Sequence, residues 1–507
     1  MHTVQRRGAM ALCSLGAFRT LLILLGLWAH ARAECEDPLA SSKLNLSVTY
    51  DLPSFEASTP IQNLVAFRGR VYVGAVNRLY SLTTDLQKLS EYETGPVLEQ
   101  PHCPPCQSCG SNANTSLSAA KNNTNMALLV ETYYDDELVS CGSAHRGVCH
   151  RHLLDDSLQD AEVTCMYSPK TNSGQNGCPD CMAGPSGTRV LSVENGGVVR
   201  FFVGNTVDVA WPGTPPQHTF SVRQMKETQE GFRFFSEHSY LDLVPQLRGS
   251  YPIRYVYAFE SGPHVYFLTV QRDDVSSHAY HTRIVRACAS DPDLRRYVEM
   301  PLECMLTPKR RRRSSDKTEV FNILQAAHVA KAGRVLRDEL GLQEDEEVLF
   351  TAFARSQQDS PSPTPSSTVC ILPLRNLNFF FSDYISKCQT RRLQHFAGSG
   401  EKSCFHASST DDSSTCGKHG LGYQLEVTTT VQRLDYFDGQ FRSVLLTSIA
   451  AFPMGDDTVA SLGTADGRVI QVPNRGQRSQ RPQLLRHCDV TRFHSCNLTT
   501  LPQAVIV

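Results

Sequence analysis

The chain has 507 residues, 40% of them hydrophobic and 20% charged, with a formal net charge of -2. That length admits two or three ordinary domains or one large unit built from repeats. The near-neutral balance provides no basic field for nucleic acid or an acidic membrane surface, so nucleic-acid partners are set aside at the outset.

Arg6 and Arg7 precede an apolar run from Leu21 to Trp28 and then Ala31-Arg32-Ala33. This is the layout of a secretory leader, predicting a cleaved segment 1–33 and a mature start at Glu34. The run is shorter than the roughly 20 residues a membrane helix needs. Of the 18 cysteines, Cys13 leaves with the leader, and the others enter an oxidising compartment where disulfides are the default. No later stretch reads as a membrane span, so the chain is expected to be released, or to be the front of a longer plasma-membrane receptor anchored downstream.

Helical periodicity is scarce, and short β-branched and aromatic runs broken by Gly, Asn, Asp and Pro predict an all-β fold. Val71–Tyr80 (VYVGAVNRLY) and Ala460–Ile470 (ASLGTADGRVI) each read as strand, tight turn, strand. Phe201–Asn205 and Val265–Val270 are strands of the same kind. Such weakly similar hairpins spread over hundreds of residues suit propeller blades, with a pair of β-sandwiches as the alternative.

Between the hairpins lie the cysteine clusters Cys103-x-x-Cys106-x-x-Cys109 and Cys178-Pro179-Asp180-Cys181. This spacing also serves zinc knuckles and redox dithiols, but in a secreted chain short-range disulfides are the expected use, and no metal or cofactor is predicted. Asn45, Asn114, Asn122 and Asn497 open glycosylation sequons, which mark expected surface. His278 and His281 read as strand or surface histidines, since no further metal ligands accompany them. Gln357–Ser367 (QQDSPSPTPSS) reads as a loop, and from Pro473 the text turns polar and basic without strand alternation.

The strongest local signal is Lys309-Arg310-Arg311-Arg312-Arg313-Ser314. Furin-type convertases read R-x-[KR]-R through acidic subsites that pair with several guanidiniums, and the polar Ser314–Lys317 beyond favours an accessible loop, so cleavage after Arg313 is predicted. Cys304 precedes the cut and Cys370 follows it, so a Cys304–Cys370 bridge would keep the pieces joined, with Cys288–Cys416 a second such pair. No G-x-S-x-G, H-E-x-x-H, P-loop or kinase glycine loop occurs, so no enzyme is predicted.

Several segments together carry a family likeness: Thr59–Asn63, Tyr92–Glu99, Thr132–Leu138, Ser140–Ser143, Phe202–Thr206, Tyr266–Arg272 and Phe321–Ala327. With them the chain resembles the sema-domain end of the hepatocyte growth factor receptor family, from about Glu34 to Val472. The resemblance implies a seven-bladed sema β-propeller over 34–472, incomplete in its last blades, followed by a divergent polar tail over 473–507. It also implies furin processing and a hepatocyte growth factor-like protein ligand, with plexins or semaphorins as alternative partners. It further implies the pairs Cys103–Cys109, Cys106–Cys165, Cys141–Cys149 and Cys178–Cys181. Where the family has a cysteine before Leu-Gln-His-Phe this chain has Arg392, which makes Cys388 the substitute partner of Cys404.

Ligand contacts carried over from the resemblance are Lys226, Glu227 and Glu230 on Ser221–Glu230, with His281 at a second stretch. Gln224 and Gln229 replace basic residues, and Gly196-Gly197 stand where the family has a charged pair, so the surface is expected to be retuned. The family continues with PSI, IPT, membrane and kinase segments. The alternative reading is a secreted decoy or a semaphorin- or plexin-like guidance protein.

Overall fold

The computed structural model describes residues 53–99, 105–106, 120–133, 135–154, 158, 162–170, 172, 178–208, 218–226, 228, 230–244, 247, 249–273, 277–307, 318–387, 416, 423–426, 429–474 and 487–489. Blade one contains β1 (Ile61–Phe67), β2 (Arg70–Ala75), β3 (Arg78–Thr83) and β4 (Lys88–Glu93). Blade two contains β5 (Asn125–Glu131), β6 (Glu137–Gly142), β7 (Cys149–Leu153) and β8 (Val163–Cys165). Blade three contains β9 (Thr188–Asn195), β10 (Val198–Asn205) and β11 (Phe220–Met225), with β12 (Phe232–Phe234) and β13 (Tyr240–Leu241) both on β11.

Blade four runs β14 (Ile253–Ser261), β15 (His264–Arg272), β16 (Tyr280–Cys288), β17 (Arg296–Leu306) and β18 (Glu319–Phe321). Blade five has β19 (Ile323–Lys331), β20 (Glu347–Ser356) and β21 (Pro363–Pro373), with helix α1 (Arg334–Leu340) after β19 and α2 (Leu374–Lys387) after β21. Two short strands, β22 (Tyr423–Glu426) and β23 (Val431–Leu434), return to blade four and pair with β17 in parallel. Blade six has β24 (Leu446–Met454), β25 (Asp457–Thr464), β26 (Arg468–Asn474) and β27 (His487–Asp489).

The first strands of successive sheets pack side by side: β1 on β5, β5 on β9, β9 on β14, β14 on β19 and β19 on β24. Each sheet therefore has its first strand innermost, the arrangement of a β-propeller. Six blades form among the described residues, against the seven that the resemblance implies. Central strands such as β15 and β16 are buried on both faces between neighbouring blades. In β15 that double burial is why Val265–Val270 reads as a near-continuous apolar run rather than as an alternation, whereas β16 buries His281, Thr282, Arg283 and Arg286 among its apolar residues.

A register shift recurs at the start of the innermost strand in five blades, at Ile61/Asn63, Asn125/Ala127, Tyr255/Tyr257, Leu324/Ala326 and Leu446/Ser448. The extra residue bends the strand and increases its twist where the blades crowd together. Polar groups then stitch neighbouring blades. Asn63 Nδ2 donates to Asn125 O at 2.9 Å, and Arg189 Nε to Val256 O at 2.9 Å. Arg254 Nη2 donates to Leu324 O at 3.0 Å, and Ala451 N to His328 Nδ1 at 3.2 Å. Gly204 of β10 admits the Tyr255 ring of blade four so closely that a Cβ there would overlap it.

Two expectations need correcting. Residues Pro363–Ser367 of the proline- and serine-rich stretch belong to β21. Proline is tolerated there because β21 ends its sheet, so a missing N–H costs no ladder bond. Beyond Val472, β26 continues to Asn474 and β27 pairs with it through Arg468↔Asp489. An outer strand of three residues is too short to show an alternation in sequence.

Candidate ligand-recognition surface

The hairpin β11–β12 carries three of the expected ligand contacts, and a buried carboxylate organises it. Asp180, inside the Cys178–Cys181 loop, is fully buried. Its Oδ1 accepts the Phe232 N–H at 2.6 Å, and its Oδ2 accepts the Ser168 N–H at 2.9 Å and a bond from Asn172 Nδ2. Lys226 Nζ lies 3.0 and 3.1 Å from the two oxygens, with its side chain only 15% exposed. Gly231, at φ 138°, lies against the same carboxylate, where any Cβ would overlap it.

From the inner side Arg223, also fully buried, donates Nη1 to Pro179 O at 2.6 Å and to Cys181 O at 2.9 Å. Burial pulls its guanidinium down to about 10, so it stays charged at neutral pH. The cysteine loop is thus clamped by one cation on each side. Lys226 spends its charge inside this clamp, whereas Glu230 is exposed. Glu227 lies outside the described residues. Gly196 and Gly197, at φ 63° and 78°, make the β9–β10 turn, and Gly197 O accepts a 3.0 Å bond from the Tyr133 hydroxyl.

His281 sits in a second network, in blade four. It is 6% exposed, with Nδ1 2.7 Å from Asp273 Oδ1 and with Nε2 accepting from Arg283 Nε at 2.6 Å. Accepting from an arginine requires a lone pair on Nε2, so the ring is neutral and carries its proton on Nδ1, facing Asp273. Burial, partly opposed by the Asp273 bond, holds the imidazole below its ordinary pKa. The same bond holds Asp273 below the usual carboxylate range. Arg283 continues to the buried Glu299 at 3.1 Å, which also accepts from Gln271 Nε2 at 3.0 Å and from the Tyr297 hydroxyl at 2.5 Å. Of the four expected contacts, then, two are packed into internal networks, one is exposed and one is undescribed.

The basic run Arg310–Arg313 with Ser314 also lies outside the described residues, but its place in the topology is defined. It falls in the connection between β17 and β18, which pair antiparallel through Cys304↔Phe321, Met305↔Val320 and Leu306↔Glu319. The chain leaves this ladder at Thr307 and re-enters at Thr318, both exposed. Disulfides join Cys304 to Cys370 and Cys288 to Cys416, with sequence separations of 66 and 128. Cys106–Cys165, Cys141–Cys149 and Cys178–Cys181 are also bonded. Cys103, Cys109, Cys388 and Cys404 are outside the described residues, as are the leader, Asn45, Asn114 and Asn497. Asn122 is exposed, its Oδ1 accepting from Asn77 Nδ2 at 3.0 Å.

His264 lies beside Cys288 and Cys416 in the single His/Cys/Asp/Glu group found among the described residues. Those two sulfurs are bonded to each other, so they are not available as thiolate ligands. No helix among the described residues is long and apolar enough to cross a membrane. Sequence reading did not single out Asp180, Arg223, Asp273, Arg283 or Glu299 as site residues, although Pro179-Asp180 inside the C-x-x-C loop was visible.

The sequence matches the Sema domain family over residues 324–496, which covers blades five and six. Among solved structures, the plexin A4 extracellular region is similar at 26% identity and a TM-score of 0.68, covering 84% of this chain and 46% of that one. A longer structure of the same region gives the same identity and TM-score over 84% of this chain and 36% of that one. This chain thus spans less than half of those ectodomains. Drosophila Semaphorin 1a, extracellular domains 1-2, shares the fold at 14% identity and a TM-score of 0.52, covering 87% of this chain and 81% of that one. Residues 324–496 thus match the Sema domain, and the β-propeller built by the described residues is similar to that of the plexin A4 extracellular region.

Proposed function

We propose that this chain is the recognition propeller of a plexin- or semaphorin-like guidance protein, engaging a second extracellular protein of the semaphorin class at one edge of the propeller and performing no catalysis. The observation that carries this reading is the likeness to the plexin A4 extracellular region over 84% of the chain at 26% identity. The exposed Glu230, on a hairpin held rigid by the Asp180 clamp, supplies a preorganised acidic edge.

A second reading is a growth-factor receptor ectodomain with a hepatocyte growth factor-like ligand. It is favoured by the sequence resemblance and by the placement of the basic run between paired strands, with two disulfides joining residues before it to residues after it. Both readings share cleavage after Arg313 by a furin-type protease.

Binding of the immobilised chain to a panel of semaphorin ectodomains and to a hepatocyte growth factor-like protein separates the two. Saturable binding to a semaphorin supports the first reading, binding to the growth factor alone replaces it with the second, and binding to neither overturns both. In whichever pair binds, Glu227→Lys with Glu230→Lys is expected to weaken affinity about tenfold. Unchanged affinity moves the contact surface elsewhere. Lys226 is left intact because its replacement would disturb the clamp.

A further inference from the structure

We infer that the two pieces produced by the proposed cut after Arg313 form a single obligate interface in blade four, and remain one folded body when both bridging disulfides are broken. The inference rests on the processing reading given above, but its physical content lies in residues on either side of the cut.

Blade four is a composite. Its strands β14–β17 precede Arg313, while β18, β22 and β23 follow it. β18 continues one edge of β17 through Cys304, Met305 and Leu306. β22 and β23 pair in parallel with β17 through Arg296–Glu299 and Leu302–Met305. A piece whose backbone is inserted in its partner's sheet leaves only if that ladder is opened, and opening it exposes unpaired N–H and C=O groups.

Helix α2 reinforces the join from beside the sheet. Asn378 Oδ1 accepts from the Tyr266 hydroxyl at 2.6 Å and from Arg286 Nη1 at 3.1 Å, and the Arg286 guanidinium lies 4.6 Å from the centre of the Phe381 ring. Tyr266 and Arg286 belong to the first piece, Asn378 and Phe381 to the second. Phe381 and Leu377 are fully buried in an apolar cluster that also contains Tyr266, Val298 and Met300. Arg254 and Thr282 of the first piece bond Leu324 and Asn322 of the second. Polar stitching around a shared apolar core is the anatomy of a permanent interface rather than of two bodies held by a tether.

The test uses the full chain with Arg310–Arg313 exchanged for the recognition sequence of a different site-specific protease, so that failure of native processing does not affect it. The folded protein is nicked, reduced, alkylated in native buffer and passed over a sizing column at about 1 μM. An obligate interface leaves less than about a tenth of the pieces free at that concentration. Co-elution at the mass of the intact chain, with separation only in denaturant, is the expected result. Separate elution, or aggregation of either piece in native buffer, overturns the inference. A Phe381→Ala, Arg286→Met chain treated in the same way is expected to separate at lower urea; an unchanged midpoint would assign the retention to something other than this interface.

Discussion

Two buried carboxylates, Asp180 in blade three and Glu299 in blade four, each sit opposite a cation, yet their surroundings differ. Asp180 is held by backbone N–H groups from Ser168 and Phe232, and its cation, Lys226, lies at the rim with 15% exposure. Glu299 is held by side chains, and its cation, Arg283, is 1% exposed. A lysine at the rim can swing into water when its partner is lost, whereas an arginine inside a blade has nowhere to go. The first network fastens a surface hairpin to the body, and the second is part of the blade itself.

Removing Arg283 should therefore have the largest effect. Arg283→Met leaves the buried Glu299 without its cation, and a loss of about 3–5 kcal/mol in urea unfolding is expected. A loss below about 1 kcal/mol would show that Tyr297 and Gln271 suffice to hold the carboxylate. Asp180→Ala should cost less, about 2–3 kcal/mol, because it strands two N–H groups but lets Lys226 reach solvent. Its distinguishing effect should be local, with amide exchange quickened across residues 226–234 while blade four keeps its protection.

The smallest effect expected is on the pH profile. His281 is kept neutral by burial, so its folded pKa lies below the ordinary value near 6.5. As pH falls below that value the unfolded chain takes up a proton that the folded chain refuses, and stability declines. His152 and His264, held by burial at about 3, act in the same direction. His281→Gln should therefore remove only part of the decline between pH 7 and 5. Asp273, held below the carboxylate range, contributes stability that is lost only in more acid solution.

Much of this architecture was legible in the residues. The hairpins around Val71–Tyr80 and Ala460–Ile470 announce themselves because turn chemistry and strand chemistry agree there. The Cys304–Cys370 pair was legible for another reason, the order of the two cysteines on either side of a basic run. The Asp180–Lys226 pair was not, since 46 residues separate its partners and nothing local records the contact. His281 shows the opposite failure, because a polar residue in a strand looks like surface until the strand proves to be central. β22, β23 and the early part of β21 escaped notice because short edge strands are defined by the backbone they pair with.

The parallel return of β22 and β23 also orders events in time. About 120 residues lie between β17 and the strand that pairs with it, so at ribosomal rates near 5–20 residues per second the outer edge of blade four stands open for about 6–25 s before its partner emerges. Over that interval a nascent chain carries four central strands ready to accept any passing strand. That interval is the one in which a chaperone has most to protect.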